Sequence, residues 1–466
     1  MLPCLFNILQ NDDENDASSK GVKLTQKCAF QIKKLMETRA KSIDLVPEVQ
    51  DECTYDLANL CSKGKINGKG EELRCLQANF KNLQDECKKA IEKYTVKENE
   101  DVRLDQILMN ACMPTIDAFC ATQKEEKGEL LNCLIKQKHN PQMDPKCKAG
   151  IEHHQLLNLE NVSFNYKFKK SCETEIMSHC SSAKSKLDAL HCLSEIVLND
   201  TLLEKSHKIS SKCRMQLKFE MLQMNENINL DPELASECQE DVQKLCNNVQ
   251  AGKGQVLECL RDNRKDLSEG CKAKLFKRDK INLVDQNVDY ALQTKCKNAI
   301  QQLCHVDGEE DVISCLRKHL LETSIEASCR DIVINRIMVQ NKDSRLNQGL
   351  WKACSKDASK LCQTEFALAS DLSQELNGRV LKCLKAQFVT NKLGKKCEIE
   401  VEQVMREAAN VDYRLDPSIV DNCLNEIESL CSEEPNDKKE NCLRLSFQKR
   451  KIDRSSTCFE VIEVYF

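Results

Sequence analysis

An all-α, elongated tandem array of ~60-residue three-helix repeats, each carrying two disulfides, is the fold class this sequence predicts. Three observations predict it: thirty cysteines in 466 residues, a cysteine spacing that recurs seven times, and apolar residues at helical intervals around those cysteines.

The cysteine count bounds the chemistry first. So many thiols suit a chain facing an oxidising lumen, where they serve as covalent staples. Structural zinc is disfavoured, because such sites bring two cysteines together in a tight C-x-x-C turn and the sequence has none. With 69 basic and 74 acidic side chains interspersed, the net charge of -5 points to neither a nucleic-acid surface nor an acidic tail. Basic runs such as Phe276–Lys280 read as solvated helix faces. No signal peptide or membrane-spanning stretch is visible in Met1–Gln10 or elsewhere.

The repeat follows from spacing. Cys53/Cys61, Cys112/Cys120, Cys172/Cys180, Cys238/Cys246, Cys296/Cys304, Cys354/Cys362 and Cys423/Cys431 are all C-x7-C pairs. A third cysteine follows each pair and always precedes leucine: Cys75, Cys133, Cys192, Cys259, Cys315, Cys383 and Cys442. The fourth members are Cys87, Cys147, Cys213, Cys271, Cys329, Cys397 and Cys458. Cys4 precedes Leu5, and Cys28 stands 25 residues before Cys53, so these two read as the third and fourth cysteines of an earlier repeat. The chain is therefore expected to begin inside a module of a longer protein, with its signal sequence outside it. The expected division is a half-repeat at 1–44, then repeats at 45–104, 105–164, 165–230, 231–288, 289–346, 347–415 and 416–466.

Periodicity turns these positions into helices. Four residues before each first cysteine stand Val49, Leu108, Phe168, Leu234, Leu292, Leu350 and Ile419; four residues after stand Leu57, Ile116, Ile176, Val242, Ile300, Ala358 and Ile427. That is one face of an α-helix, continued seven residues on by an apolar residue in every repeat but the third, where His179 stands. Pro232 and Pro417 fit a first helical turn. A second helix carries the Cys-Leu pair, and a third starts near the fourth cysteine, with Asp85, Asp144, Ser268 and Ser324 as capping candidates.

Helix rise limits the pairing. Cysteines eight residues apart on one helix have Cα atoms about 12 Å apart, beyond the roughly 7 Å a disulfide allows. First and second cysteines therefore cannot pair. Nested pairing in an antiparallel hairpin is favoured: Cys53–Cys87 with Cys61–Cys75, Cys112–Cys147 with Cys120–Cys133, Cys172–Cys213 with Cys180–Cys192, Cys238–Cys271 with Cys246–Cys259, Cys296–Cys329 with Cys304–Cys315, Cys354–Cys397 with Cys362–Cys383, and Cys423–Cys458 with Cys431–Cys442. The crossed alternative, exemplified by Cys53–Cys75 with Cys61–Cys87, stays open. Each disulfide contributes roughly 2–4 kcal/mol to a unit too small and too poor in aromatics for a large core.

Two repeats are longer than the rest, the third between Cys192 and Cys213 and the sixth between Cys362 and Cys383. The first insertion holds the sequon Asn199-Asp200-Thr201, expected to be glycosylated between helices; Asn161-Val162-Ser163 is the second candidate. Gly64–Gly70 superficially looks like a phosphate loop, but it has the wrong spacing and reads as a hairpin loop. His153-His154 reads as exposed helix or linker. With no G-x-S-x-G, H-E-x-x-H or C-x-x-C, the chain is expected to be no enzyme and to need no metal or cofactor.

The C-x7-C pair, the Cys-Leu step and leads such as Asp101–Asp105 and Asp412–Pro417 make this repeat resemble that of the Golgi apparatus protein 1 family, also called the cysteine-rich fibroblast growth factor receptor or E-selectin ligand family. The resemblance covers essentially the whole chain. It implies a Golgi-resident, membrane-anchored lumenal glycoprotein whose signal peptide, membrane span and cytoplasmic tail are not in this sequence. It further implies a binding and trafficking scaffold for secreted growth factors of the fibroblast type or other lumenal proteins. A disulfide-rich stalk or a glycan-bearing selectin ligand is the alternative. No binding residue carries over.

Overall fold

The computed structural model describes residues 24–62, 70–123, 128–202, 206, 208–304, 311–369 and 375–465, and every regular element among them is helical. Each repeat has a leading helix that ends at the second cysteine, a middle helix bearing the Cys-Leu pair, and a closing helix bearing the fourth cysteine. In the second repeat these are Gln106–Phe119, Glu129–Gln137 and Pro145–Leu157. In the fourth, the leading segment is split at Cys238 into Pro232–Glu237 and Gln239–Leu245, followed by Gln255–Asp262 and Glu269–Val284. A closing helix, Gln26–Arg39, precedes the first full repeat and carries Cys28 as a free thiol. Cys4 lies outside the described residues, as does 64–69 of the glycine-rich loop.

The cysteine spacing is a helix-length rule. The N–H of Cys120 closes the last turn on Ile116 O at 2.9 Å, and Cys180, Cys246, Cys362 and Cys431 do the same on the apolar residue four back. The chain leaves the helix at that point, so the second cysteine sits at the turn facing the middle helix. The leucine after each third cysteine is the keystone of its repeat: Leu76, Leu134, Leu193, Leu260, Leu316, Leu384 and Leu443 are all at most 1% exposed. Truncating such a residue to alanine costs roughly 2–5 kcal/mol through lost contacts and the cavity left behind. The residue four before the first cysteine is buried in all seven repeats; the one seven after it is buried in none, with Phe119 and Leu430 exposed. The apolar stripe is thus narrower than the sequence period implies.

The chain divides into two compact units, residues 1–193 with 211–216 and residues 194–210 with 217–466. In the first, Cys53, Leu73, Leu76, Cys87 and Ile91 pack with Phe164, and Leu108, Cys112, Ile116, Leu134 and Ile151 form a second core. In the second, separate cores surround Leu234–Leu275, Leu292–Ile337, Leu350–Val404 and Ile419–Ile462. Each core is built around the disulfides of its own repeat, as the low aromatic content requires.

Several local expectations change. The insertion of the third repeat does not form a loop at Asn199: the middle helix simply runs on, as Lys186–Leu202, and Asn199 is exposed near its end. The sixth repeat spends its insertion on an extra helix, Gln363–Leu368. Asp144 and Ser268 do cap closing helices, but Gln84 and Glu326 occupy that place where Asp85 and Ser324 were expected. The Phe276–Lys280 run is not solvated: Phe276, Arg278, Asp279 and Lys280 are buried, because the closing helix of the fourth repeat has neighbours on more than one side.

Candidate functional site at the joints between repeats

In the structure the first cysteine of each repeat is bonded to the fourth: Cys53–Cys87, Cys112–Cys147, Cys172–Cys213, Cys238–Cys271, Cys296–Cys329, Cys354–Cys397 and Cys423–Cys458, with Cα atoms 4.6–4.9 Å apart. The second is bonded to the third: Cys61–Cys75, Cys120–Cys133, Cys180–Cys192, Cys246–Cys259, Cys304–Cys315, Cys362–Cys383 and Cys431–Cys442, at 5.9–6.1 Å. The outer bond therefore staples leading to closing helix, and the inner bond staples leading to middle helix.

Between closing helix and next leading helix the chain makes one 3-10 turn, at Ile43–Leu45, Val102–Leu104, Val162–Phe164, Ile228–Leu230, Gln286–Val288, Ser344–Leu346 and Tyr413–Leu415. A short polar side chain opens each turn by accepting a backbone N–H: Ser42, Asp101, Asn161, Asn227, Asp285, Asp343 and Asp412. A second then caps the leading helix in every repeat but the first: Asp105, Asn165, Asp231, Asp289, Asn347 and Asp416. The aspartate-rich lead is thus a double cap, satisfying donors that a helix start leaves unpaired.

The capping carboxylates are also buried ion-pair partners. Asp105 Oδ2 lies 2.7 Å from His154 Nε2, Asp231 pairs with Arg278, and Asp289 accepts from Arg336 Nε at 2.5 Å. His154, Arg278 and Arg336 all stand seven residues past a fourth cysteine. Where that position holds Glu220 or Val404, the capping residue is the neutral Asn165 or Asn347. In the last repeat Asp416 finds Lys385 of the preceding middle helix at 2.7 Å. The pattern pairs charge with charge and leaves no buried carboxylate cap alone.

A residue just before the third cysteine brings the previous repeat into the pair. Arg74 Nη2 is 3.6 Å from Asp105, and Glu258 bonds Arg336 at 2.7 and 3.1 Å. Burial alone would push the Asp289 carboxyl up, but Arg336 outweighs it and holds the group below the usual carboxylate range. The same contest at Asp105, won by the hydrogen bond and charge of His154 with help from Arg74, brings that carboxyl down to about 2. His154 is not exposed as the sequence implied. Both its ring nitrogens face oxygens, Asp105 Oδ2 and Asn99 Oδ1 at 3.0 Å, an arrangement that fits the imidazolium. Burial lowers its pKa, and the Asp105 bond and charge, with Glu98, raise it by more.

Glu98 completes this joint. Its carboxylate is buried and accepts from Gln77 Nε2 at 2.5 Å, while burial and the Asp105 charge push its pKa up to about 7. Glycine marks the joints as well. Gly128 N–H bonds Glu100 O at 3.2 Å, and Gly378 N–H bonds Lys342 O at 2.6 Å, so the end of one closing helix docks on the start of the next middle helix. Gly378 has φ +71, and a Cβ there would stand 2.8 Å from Pro417 Cβ.

Of the two sequon residues, Asn161 is the opening cap of a 3-10 turn. Its Oδ1 accepts from Ser163 N–H at 2.9 Å, and its Nδ2 donates to Glu92 Oε1 at 2.6 Å. Asn199 is exposed on the helix Lys186–Leu202. Sequence reasoning missed the Asp–cation pairs and the joint glycines. Aligning the repeats at their fourth cysteines would have revealed both, since Asp and a base co-occur at fixed offsets. Among the described residues no group of His, Cys, Asp or Glu is arranged to hold a metal ion, and no helix is long and apolar enough to cross a membrane.

A family model described as a cysteine rich repeat matches seven successive stretches, 26–84, 85–142, 145–201, 211–268, 269–324, 327–392 and 395–451. Every match begins on the first residue of a closing helix. The outer disulfide therefore links one matched stretch to the next in the first six repeats, and the inner disulfide stays within one in all seven. Golgi apparatus protein 1 of Gallus gallus is 36% identical over 459 residues, covering 97% of this chain and 39% of that protein. The Homo sapiens protein of that name is also 36% identical, with 97% and 38% covered. The Golgi apparatus protein 1 homolog of Caenorhabditis elegans is 30% identical over 460 residues, 93% of this chain and 39% of that protein. The chain thus spans about two fifths of the length of the curated relatives it matches. No solved structure matches it.

Proposed function

The chain belongs to the cysteine rich repeat family, and on that premise we propose that it is a non-catalytic binding and trafficking scaffold of the Golgi lumen, with secreted growth factors of the fibroblast type among its ligands. The observation that carries this reading is the repetition itself. Seven repeats offer similar helical surfaces, each fixed by two disulfides to its own core. Repetition favours multivalent capture, in which weak contacts add through effective concentration. The relatives' name supplies the compartment, and the cysteines support an oxidising lumen. A membrane anchor belongs to this proposal by family only; the repeat boundaries at 45–104 and onward rest on the cysteine spacing, and glycans on Asn161 and Asn199 on their sequons.

The direct test immobilises the disulfide-intact chain and passes a recombinant fibroblast growth factor over it. Saturable binding that disappears after reduction supports the scaffold. Retention no greater than on an albumin-coated control would favour the alternative of a stalk or glycan-bearing adhesion ligand.

A further inference from the structure

The first compact unit contains a groove of about 670 Å³ beside the buried joint, with Arg74 shared between the two. Its walls are the middle helix of the first repeat, Glu71–Ala78, and the leading and closing helices of the second. Two side chains lining it carry buried nitrogens without a hydrogen-bond partner, Arg74 Nη2 and His153 Nε2. Such groups are costly unless something completes them. Arg74 keeps 26% of its side chain exposed, and its nearest carboxylate, Asp105, stands off at 3.6 Å because His154 already holds it at 2.7 Å.

We infer that this groove is a binding site for a carboxylate, the group an acidic side chain of a protein ligand presents, with Arg74 as the anchor and His153, Lys146 and Asn110 around it. The inference does not depend on which protein the scaffold carries. Space comes from small residues: Ala149, Ala111 and Gly150 line the groove, and a Cβ on Gly150 would come within 3.5 Å of Arg74 Nη2 and 2.7 Å of Leu108. The planar guanidinium fork fits a planar carboxylate with two parallel hydrogen bonds.

The electrostatics agree. Arg74 and Lys146 line the groove with one carboxylate, Glu71, and Asp105 stands 3.6 Å from Arg74. Burial, then the charges of Arg74 and His154, press the His153 pKa down to about 4, against Asp105 alone. His153 thus sits in a positive field that an arriving anion would relieve. Occupation by a carboxylate would let His153 take a proton more readily, so ligand and proton bind together.

The test is NMR of the full chain with labelled histidine, following His153 as pH is varied with sodium acetate, sodium sulfate or a blocked glycyl-glutamyl-glycine peptide, at matched chloride. Acetate and peptide are expected to raise the His153 pKa by a full unit or more. Arg74→Gln should weaken acetate binding roughly tenfold or more, as loss of a charge-assisted pair predicts. Asn110→Asp, at an exposed position, should weaken it without touching the core, which keeps the test decisive if Arg74→Gln folds poorly. Tighter binding of the peptide than of acetate supports a protein side chain as the source; equal binding overturns that source. A sulfate response equal to that of acetate overturns the carboxylate assignment. A His153 that titrates identically under all conditions overturns the site.

Discussion

Asp289 accepts from Arg336 Nε at 2.5 Å across 47 residues, and Asp105 meets His154 at 2.7 Å in the equivalent place of an earlier repeat. These pairs do two jobs at once, capping a leading helix and fixing it to a closing helix. Removing one member strands a buried charge, at a cost of roughly 3–5 kcal/mol. Arg336→Leu is therefore expected to lower unfolding stability by about that much. Adding Asp289→Asn should recover the part of the loss that belongs to Asp289, because Asn347 already caps a helix in a repeat with Val404 at the cation's position, while Glu258 keeps its pair with Arg261. Denaturant unfolding of the two singles and the double measures the coupling. A double variant no more stable than Arg336→Leu would sink the pairing rule.

The Glu98 joint predicts an unusual pH dependence. Its folded pKa of about 7 exceeds the ordinary glutamate value of 4.5, so the folded chain holds a proton the unfolded chain has released. Stability from this group is full below 4.5 and falls as pH rises through 7. His154, also raised, adds a loss in the same direction, while Asp105, at about 2, loses stability only in stronger acid. At 1.36 kcal/mol per unit, the Glu98 contribution is of the order of 1–3 kcal/mol. Wild type should therefore melt higher at pH 5.5 than at 7.5, and Glu98→Gln should flatten much of that difference. Equal slopes in the two proteins would count against a protonated Glu98.

The disulfide pattern gives a covalent prediction. Non-reducing digestion should yield peptides joined Cys61–Cys75 and Cys53–Cys87; a Cys53–Cys75 fragment would establish the crossed arrangement instead. The outer bond closes a loop of 34 residues in the first repeat and the inner bond one of 14. The chain-entropy account makes the longer loop the more stabilising, each bond being worth roughly 2–4 kcal/mol. Replacing Cys53 and Cys87 by serine should thus destabilise the first repeat more than replacing Cys61 and Cys75, as read by thermal unfolding.

Gly378 offers a test of the joint geometry. At φ +71 it pays no steric penalty, and its N–H reaches Lys342 O at 2.6 Å. Alanine would carry both the left-handed strain, about 1 kcal/mol, and a Cβ 2.8 Å from Pro417. Gly378→Ala should cost well over 1 kcal/mol in denaturant unfolding. A neutral result would show that the middle helix is not docked there as described.

The helical repeat was legible because its signal is redundant: seven spacings, seven Cys-Leu steps and seven buried leucines all report one geometry. Long-range partners were not, because a single residue's chemistry does not state its depth. His154 sits beside His153 in the sequence, yet one is buried against Asp105 and the other lines a groove. Lys280 reads as solvated in a basic run, but the fold buries it over the Phe276 ring at 5.0 Å. The sequence period identifies a helix face but not how many neighbours that helix has.

The same distinction separates the two sequons. Asn161 occupies the position held elsewhere by Asp101, Asp285 and Asp343, so a cap explains its presence without any glycan. Attaching a glycan to Nδ2 would disrupt its bond to Glu92 Oε1 at 2.6 Å. Asn199 is exposed near the end of its helix, Lys186–Leu202. Occupancy at Asn199 should therefore exceed that at Asn161 in chain secreted from animal cells, as measured by isotope incorporation on enzymatic glycan release. Independently of any glycan, Asn161→Ala should cost about 1 kcal/mol through the lost cap, while Ser163→Ala, which abolishes the sequon but keeps the backbone donor, should cost less. The reverse order in either measurement would mean that Asn161 serves as an acceptor before it serves as a cap.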